Sequence, residues 1–233
     1  MKRFCLLTTG RTASTAVMQV LEQFEDVAVP NKNIPCIDNE LVHPERVRQH
    51  VELYSQLCKC PITTQAQLIE TFYRCNAQYA YAGFKSMANR HSDYDRFTRR
   101  QDIKFITLFR KDVASTVASF MLAMENGTWR RSGGAPKSVW TFEPSKQKQV
   151  LSNLTYIFNS VQQLLQVPSA IRLYYEDLCR PDFVAEDLNC FFQREIKLAH
   201  PLPPTFGASY VRNWDVFQKI INYAWQKLLE RNC

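Results

Sequence analysis

Glycine is scarce in this chain, with 6 among 233 residues, and no Gly-rich or Ser-rich tract divides it. Because 45% of the residues are hydrophobic, the sequence predicts one domain over residues 1–233 with a single sizeable core. No apolar run approaches the roughly 20 residues of a membrane-spanning helix. The run that follows Lys2 and Arg3 stops at Thr8, which is too short for a secretory signal. We therefore expect a cytoplasmic protein with no membrane partner.

The 8 cysteines form no CxxC pair and show no Cys/His spacing suited to zinc. Without a secretory signal, reduced thiols are expected in place of disulfides. The net charge of +7 favours an anionic partner. The basic residues occur in ones and twos, with no stripe interleaved with aromatics, so we expect no nucleic-acid partner.

Short apolar runs alternate with segments of helical periodicity, which predicts an α/β fold with a mostly parallel central sheet flanked by helices. The predicted strands are Arg3–Thr8, Tyr79–Phe84, Lys104–Phe109 and Ile171–Tyr175. The predicted helices are Ser14–Phe24, Glu45–Leu57, Gln65–Ala77, Val113–Met124, Lys146–Leu165, Phe183–Phe192 and Asp215–Glu230. Ligands of such sheets bind beyond the carboxyl ends of the strands, so the turns there are the first candidates for a site.

Two stretches are predicted to be irregular, residues 26–44 and residues 126–141. The second contains Trp129, Arg130, Arg131, Lys137 and Trp140. Aromatics beside cations suit a sugar or an anionic acceptor, so we interpret this stretch as a substrate loop or a dimer loop. A solvated loop remains the alternative.

The first turn joins a buried strand to a helix through small residues. A helix N-terminus after such a turn offers free N–H groups and a positive dipole end, which together bind anions. Arg11 adds a cation, and Ser14 and Thr15 add hydroxyl donors. The Walker sequence GxxxxGK[ST] is absent. The alternative is an ordinary capped helix.

The third turn also delivers a cation. The strand Lys104–Phe109 is followed by Arg110, where a P-loop kinase would have an aspartate for magnesium. Ser119 follows in the next helix. This arrangement predicts a second anion site; the alternative is a surface pair between Arg110 and Asp112.

These segments resemble sulfotransferases that use 3′-phosphoadenosine 5′-phosphosulfate (PAPS). The segment Arg11-Thr12-Ala13-Ser14-Thr15 resembles the R-T-G-S-T loop of that family, with Ala13 in place of the glycine. Arg110-Lys111-Asp112, with Ser119, Ala123 and Trp129 beyond it, resembles the family's 3′-phosphate element and is most similar to the bacterial trehalose 2-sulfotransferase type. Gly83-Phe84-Lys85-Ser86-Met87 is similar to the G-v-K-l-m segment of that type, and Tyr175-Glu176-Asp177-Leu178 to the family's Y-E-D-L strand end.

The resemblance implies a P-loop-like domain and a set of cofactor contacts. Residues 11–16, which include Thr12, Ala13 and Ala16, would hold the 5′-phosphosulfate. Arg110 and Ser119 would bind the 3′-phosphate of PAPS and of the product PAP. Tyr175 would approach the adenine, and Arg212 would close over the 3′-phosphate.

The same resemblance implies catalysis by positioning and by cations, with Arg11 and Lys85 on the sulfuryl group. No carboxylate cluster suited to magnesium accompanies these loops, so we expect no metal. The general base of the family is not found: Met87 and Lys32 stand where its two types keep histidine and glutamate. The candidates that remain are Asp38, Glu40, His43 and His91, and we favour Glu40 because it lies in the loop where the trehalose type keeps its glutamate.

The resemblance therefore implies a sulfotransferase whose acceptor is a hydroxyl of a small molecule. A carbohydrate is the candidate acceptor, and a homodimer is the candidate assembly. Two alternatives stay open. The first is a P-loop kinase of small molecules, which would need the missing Gly-Lys-Ser/Thr and an acidic magnesium ligand. The second is a catalytically inactive relative that keeps the nucleotide site.

Overall fold

A computed structural model describes residues 1–30, 40–44, 47–126, 139–197 and 211–232 of the chain. Its strands are β1 (Lys2–Thr8), β2 (Val27–Ala28), β3 (Tyr81–Met87), β4 (Ile103–Phe109), β5 (Trp140–Thr141), β6 (Ile171–Tyr174) and β7 (Val211–Arg212). Its helices are α1 (Ser14–Glu22), α2 (Val47–Cys58), α3 (Gln65–Cys75), α4 (Tyr94–Thr98), α5 (Val113–Asn126), α6 (Gln147–Leu165), α7 (Tyr175–Leu178), α8 (Glu186–Phe192) and α9 (Trp214–Asn232). Single 3-10 turns lie at Ala88–Arg90 and Pro144–Lys146.

The centre of the fold is a five-stranded sheet in the order β2-β3-β1-β4-β6, and every pair in it is parallel. Thr8 pairs with Met87 on one side and with Leu108 on the other. The turns after β1, β3 and β4 therefore leave the sheet side by side at its carboxyl edge. This confirms the predicted α/β class and the mostly parallel sheet.

Both faces of the sheet are covered, as the continuous apolar runs predict. Successive residues of β1 point to opposite faces: Phe4 and Leu6 belong to one buried cluster, and Cys5 and Leu7 to the other. Helices α1 and α8 cover the first face, and α3, α5, α6 and α9 cover the second. The carboxyl edge of the sheet is therefore where side chains can meet a ligand.

Helix α3 shows how local sequence fixes an element. Thr64 accepts a hydrogen bond from the N–H of Gln67, and the Gln67 side chain accepts one from the N–H of Thr64. This reciprocal capping box satisfies two backbone donors at the helix start. Leu68, Ile69 and Phe72 then bury one face of the helix against the core.

Several sequence expectations need correction. The stretch 26–44 is not wholly irregular, because it contains β2, and Trp140 belongs to β5, which pairs with β7 in a separate two-stranded sheet. Most of the proposed substrate or dimer loop, residues 127–138, lies outside the described residues, as do Trp129, Arg130, Arg131 and Lys137. Trp140 itself is buried and packs against Phe142 and Phe217, so its interpretation as a substrate contact is wrong.

The expectation of reduced thiols is wrong for one pair. Cys58, at the end of α2, and Cys75, at the end of α3, form a disulfide. Within the described segments, Cys5, Cys60, Cys179 and Cys190 are free thiols. None of the helices in those segments is long and apolar enough to cross a membrane.

Candidate anion-binding site

The turn between β1 and α1 has an unusual backbone. Arg11 has a φ of 67° and Ala13 a φ of 62°, both in the left-handed region that favours glycine. Such residues turn successive backbone N–H groups toward one side of the loop, which creates an anion-binding concavity. Ala13 is the N-cap of α1, and its side chain makes no capping hydrogen bond to the N–H groups of the first turn. The N-terminus of α1 therefore keeps donors for a ligand.

Internal hydrogen bonds hold this loop in shape. The Thr12 hydroxyl donates to the carbonyl of Thr9 at 3.2 Å and also bonds with the hydroxyl of Thr8. Thr12 is buried, so its hydroxyl shapes the loop from inside. Gly10 packs against α5 so closely that a Cβ at this position would lie 2.4 Å from Cε2 of Phe120. The loop is thus fixed before any ligand arrives.

Two cations lie at this loop, Lys85 from β3 and Arg11 from the loop itself. Lys85, in β3, is buried and donates from Nζ to the Thr15 hydroxyl at 3.3 Å. Arg11 donates from Nε to the Ser119 hydroxyl in α5 at 2.8 Å. The structure therefore brings together Arg11, Thr15, Lys85 and Ser119. The resemblance assigned the first three to the 5′-phosphosulfate of the cofactor and Ser119 to its 3′-phosphate.

Arg110 follows β4 and is nearly buried, with 6% of its surface exposed. Its guanidinium lies 4.4 Å from the ring centre of Tyr175, and its Nε lies 4.0 Å from Oε1 of Glu176. Nε and Nη2 are buried and have no hydrogen-bond partner. A buried donor without a partner costs free energy of roughly 1–3 kcal/mol, and such exceptions usually mark a ligand, ion or water position.

The two carboxylates near Arg110 already accept hydrogen bonds from backbone N–H groups. Asp112 accepts from the N–H and the hydroxyl of Ser115 and so caps α5. Glu176 accepts from the N–H groups of Lys111 and Asp112 at 3.1 Å and 3.0 Å. The alternative of a surface pair between Arg110 and Asp112 is therefore wrong, because Asp112 caps the helix and Arg110 is buried against Tyr175.

Glu40 lies next to Lys85. Its backbone forms a parallel bridge with that of Lys85 at the edge of β3. The Glu40 side chain is buried and accepts a hydrogen bond from Nη1 of Arg90 at 2.5 Å. Sequence reasoning missed Arg90, although it lies three residues beyond the end of β3 and strand ends are where ligands bind.

The other candidate bases are placed differently. His91 stacks on Phe97 with ring centres 4.0 Å apart, and its Nε2 is buried without a hydrogen-bond partner. Burial lowers the pKa of His91 to about 4, so its imidazole is neutral at pH 7. His43 is half-buried. Asp38 lies outside the described residues.

Tyr175 and Arg212, two predicted cofactor contacts, differ in whether they touch this cluster. Tyr175 begins α7 and is buried beneath Arg110, so one face of its ring is already in contact with a cation. Arg212 is exposed in β7, whose partner strand β5 is tied to the last turn of α5 by the hydrogen bond from Trp140 to Glu125. Among the residues that the structure describes, no hydrogen bond or ion pair joins Arg212 to the other predicted site residues.

The donor set is suited to an anion. In the described part of the chain, no three His, Cys, Asp or Glu side chains gather as ligands for a metal. Cations and N–H donors instead converge at the carboxyl edge of β1, β3 and β4. Such an arrangement binds phosphate or sulfate groups.

No protein-family model matches this chain. A search of curated proteins finds no significant match either.

Proposed function

We propose that this chain is a P-loop-like sulfotransferase that moves a sulfuryl group from PAPS to a hydroxyl of a small acceptor. One observation carries the proposal: Lys85 and Arg11, from two different elements, both lie at the uncapped N-terminus of α1. Two cations and a helix N-terminus would bind the 5′-phosphosulfate and the charge that develops on it. The resemblance of residues 11–15 and 110–119 to the family's two loops supports the same assignment.

The proposed reaction is an in-line displacement at sulfur. The acceptor oxygen forms a bond to sulfur while the bond from sulfur to the 5′-phosphate oxygen breaks. The electron pair of that bond leaves with PAP, and the proton of the hydroxyl passes to a base. We assign the proton to the Glu40 carboxylate, because its backbone lies alongside Lys85. Arg11 and Lys85 would contact the sulfuryl oxygens.

Arg110 supports a site for the 3′-phosphate. Its two buried donors without partners would gain charge-assisted hydrogen bonds from a phosphate. The Tyr175 ring packs against the guanidinium, and the Glu176 carboxylate accepts hydrogen bonds from two backbone N–H groups. Ser119, Ala16 and Arg212 complete the proposed contacts with PAPS.

The kinase alternative is less well supported by the geometry. Magnesium in a P-loop kinase needs a carboxylate with free oxygens near the strand end. Asp112 and Glu176, the acidic residues nearest to Arg110 in sequence or space, are both hydrogen-bonded to backbone N–H groups. The alternative of a catalytically inactive relative is supported by the ion pair between Glu40 and Arg90, because this pair occupies one carboxylate oxygen of the proposed base.

Thermal-shift titrations separate these alternatives. PAP at 100 times its Kd is expected to raise the melting temperature by about 5–10 °C, because it binds the folded chain alone. ATP with magnesium should have a much smaller effect. A larger shift with ATP and magnesium than with PAP would support the kinase instead. Turnover of PAPS with an acceptor panel then distinguishes an enzyme from an inactive relative.

A further inference from the structure

A cavity of about 510 Å³ lies at the end of β3, beside the proposed site. It is bounded by the segment 42–44, by α2, by the start of α3 and by residues 89–92. Its size falls in the range of about 300–1,000 Å³ that is common for small-molecule sites. The proposed donor site does not use it.

One side of the cavity is aliphatic. Val42, Val47, Val51, Ile62 and Leu68 line it, and none of the described lining residues is Phe, Tyr or Trp. A sugar carries a hydroxyl on almost every carbon, and each buried hydroxyl needs a hydrogen-bond partner. Thr63, Thr64, Gln65 and Ser92 also line the cavity, but their side chains are hydrogen-bonded within the chain, so they offer few free partners to a sugar. The cavity therefore suits an apolar molecule better than a carbohydrate.

One end of the cavity is polar. Asn89, Arg90 and His91 line it there, and Nε2 of His91 has no hydrogen-bond partner. Arg90 also binds Glu40, whose backbone lies beside Lys85. Lys85 in turn contacts Thr15 in the first loop. The polar end of the cavity is thus joined to the proposed sulfuryl site by an unbroken series of contacts.

We infer that this cavity is the acceptor site and that it takes a largely apolar molecule with a hydroxyl at one end. This inference rests on the proposed function. The apolar body lies against the α2 and α3 walls, and the hydroxyl lies at the end formed by Arg90 and His91, toward Glu40. We expect sugars to be poor acceptors. An apolar acceptor thus replaces the carbohydrate acceptor that residues 126–141 suggested.

The test uses 2-naphthol and trehalose as matched acceptor probes and the variant Val51→Trp, whose indole would fill the cavity. The control is Leu57→Trp, which adds the same side chain on α2 at a position that is 59% exposed and outside the cavity. Binding of 2-naphthol is measured by equilibrium dialysis with PAP present, and sulfation is measured with labelled PAPS. PAP affinity is measured for every variant.

We expect 2-naphthol to bind and to be sulfated, and trehalose to be neither. Val51→Trp should weaken 2-naphthol binding at least tenfold, whereas Leu57→Trp should not change it, and PAP affinity should stay the same in both. If Val51→Trp does not fold, Val51→Thr, which keeps the shape and adds a polar atom, should still weaken 2-naphthol binding by about threefold or more.

The outcomes separate the two proposals. Two results would overturn the acceptor assignment: sulfation of trehalose without binding of 2-naphthol, or 2-naphthol binding that Val51→Trp leaves unchanged. If PAP still binds in either case, the proposed function is upheld. Absence of PAP binding overturns the proposed function. In that case, loss of 2-naphthol binding in Val51→Trp alone would still identify the cavity as a site for an apolar ligand.

Discussion

Arg110 is a charged residue that the fold buries with two of its donors unused. A folded chain normally leaves few such groups, because each costs free energy. The simplest physical reason is that an anion completes the hydrogen bonds. The cost in the free protein is then recovered when the anion binds.

We therefore predict that PAP binds more tightly than adenosine 5′-phosphosulfate, which lacks the 3′-phosphate. Hydrogen bonds to charged groups contribute about 1.5–3 kcal/mol, which corresponds to roughly 10- to 150-fold in Kd. Arg110→Met should abolish this preference and leave the free energy of unfolding within about 1 kcal/mol, because two orphan donors disappear with the guanidinium. Calorimetric titration and urea unfolding measure both effects.

The control for this variant is Arg172→Met, which removes an exposed arginine from β6. It should keep the preference for PAP. Equal affinity of the wild-type protein for PAP and adenosine 5′-phosphosulfate would refute the assignment of Arg110.

Lys85 is expected to act on the rate more than on binding. If its ammonium contacts charge that builds up only in the transition state, Lys85→Met should lower single-turnover transfer about 10²- to 10³-fold and change PAP affinity much less. Methionine keeps the apolar stem in its buried position. Lys104→Met is the control, because Lys104 belongs to the neighbouring strand β4 but donates to the carbonyl of Ser169. A wild-type rate in Lys85→Met would remove Lys85 from the site.

At the scale of elements, the start of α1 is strained. Ala13 adopts φ 62° and ψ 20°, a conformation that costs a residue with a Cβ about 1–2 kcal/mol. Ala13→Gly should therefore raise the free energy of unfolding by about 0.5–1 kcal/mol after the greater entropy of glycine in the unfolded chain is subtracted.

Ala16→Gly provides a control with the opposite sign. Ala16 lies inside the first turn of α1, where glycine costs roughly 0.5–1 kcal/mol relative to alanine. Both variants are compared by denaturant unfolding. Destabilisation by Ala13→Gly of the same size as that by Ala16→Gly would show that the loop is not strained.

The long elements were predictable from sequence and the short ones were not. Strands β1 and β4 are continuous apolar runs, and α5 and α6 have clear helical periodicity, so their positions agree with the prediction to within two residues. The strands β2, β5 and β7 have two residues each, which is too few to show any period. Helices α4 and α7, with five and four residues, are also too short to show a helical period and were not predicted.

The site was predictable only in part, for a related reason. Arg11 and Arg110 follow strands and Lys85 lies two residues before the end of β3, so the strand-end rule points to all three. The bridge between Glu40 and Lys85 and the ion pair between Glu40 and Arg90 are tertiary contacts with no local signal. The prediction for Trp140 was wrong because it closely follows a stretch with glycine and proline, which is typical of a loop, whereas here it fills a core.

For the whole molecule, we predict that EDTA leaves sulfuryl transfer unchanged and that added magnesium does not raise it. The charge of the donor would be met by Arg11, Lys85 and Arg110, and the nearby carboxylates Asp112 and Glu176 are hydrogen-bonded to backbone N–H groups. Initial rates with and without EDTA measure this. A strict requirement for magnesium would revive the kinase alternative.

The central position of β1 also governs how the chain folds. Leu6 pairs with Lys85 on one side and with Ile106 on the other, so the strand made early finds both neighbours only much later in the chain. Contacts of such long sequence separation slow folding. During synthesis the run Phe4-Cys5-Leu6-Leu7 has no partner strand until β3 has emerged, and until then it is an exposed apolar segment that a chaperone would shield.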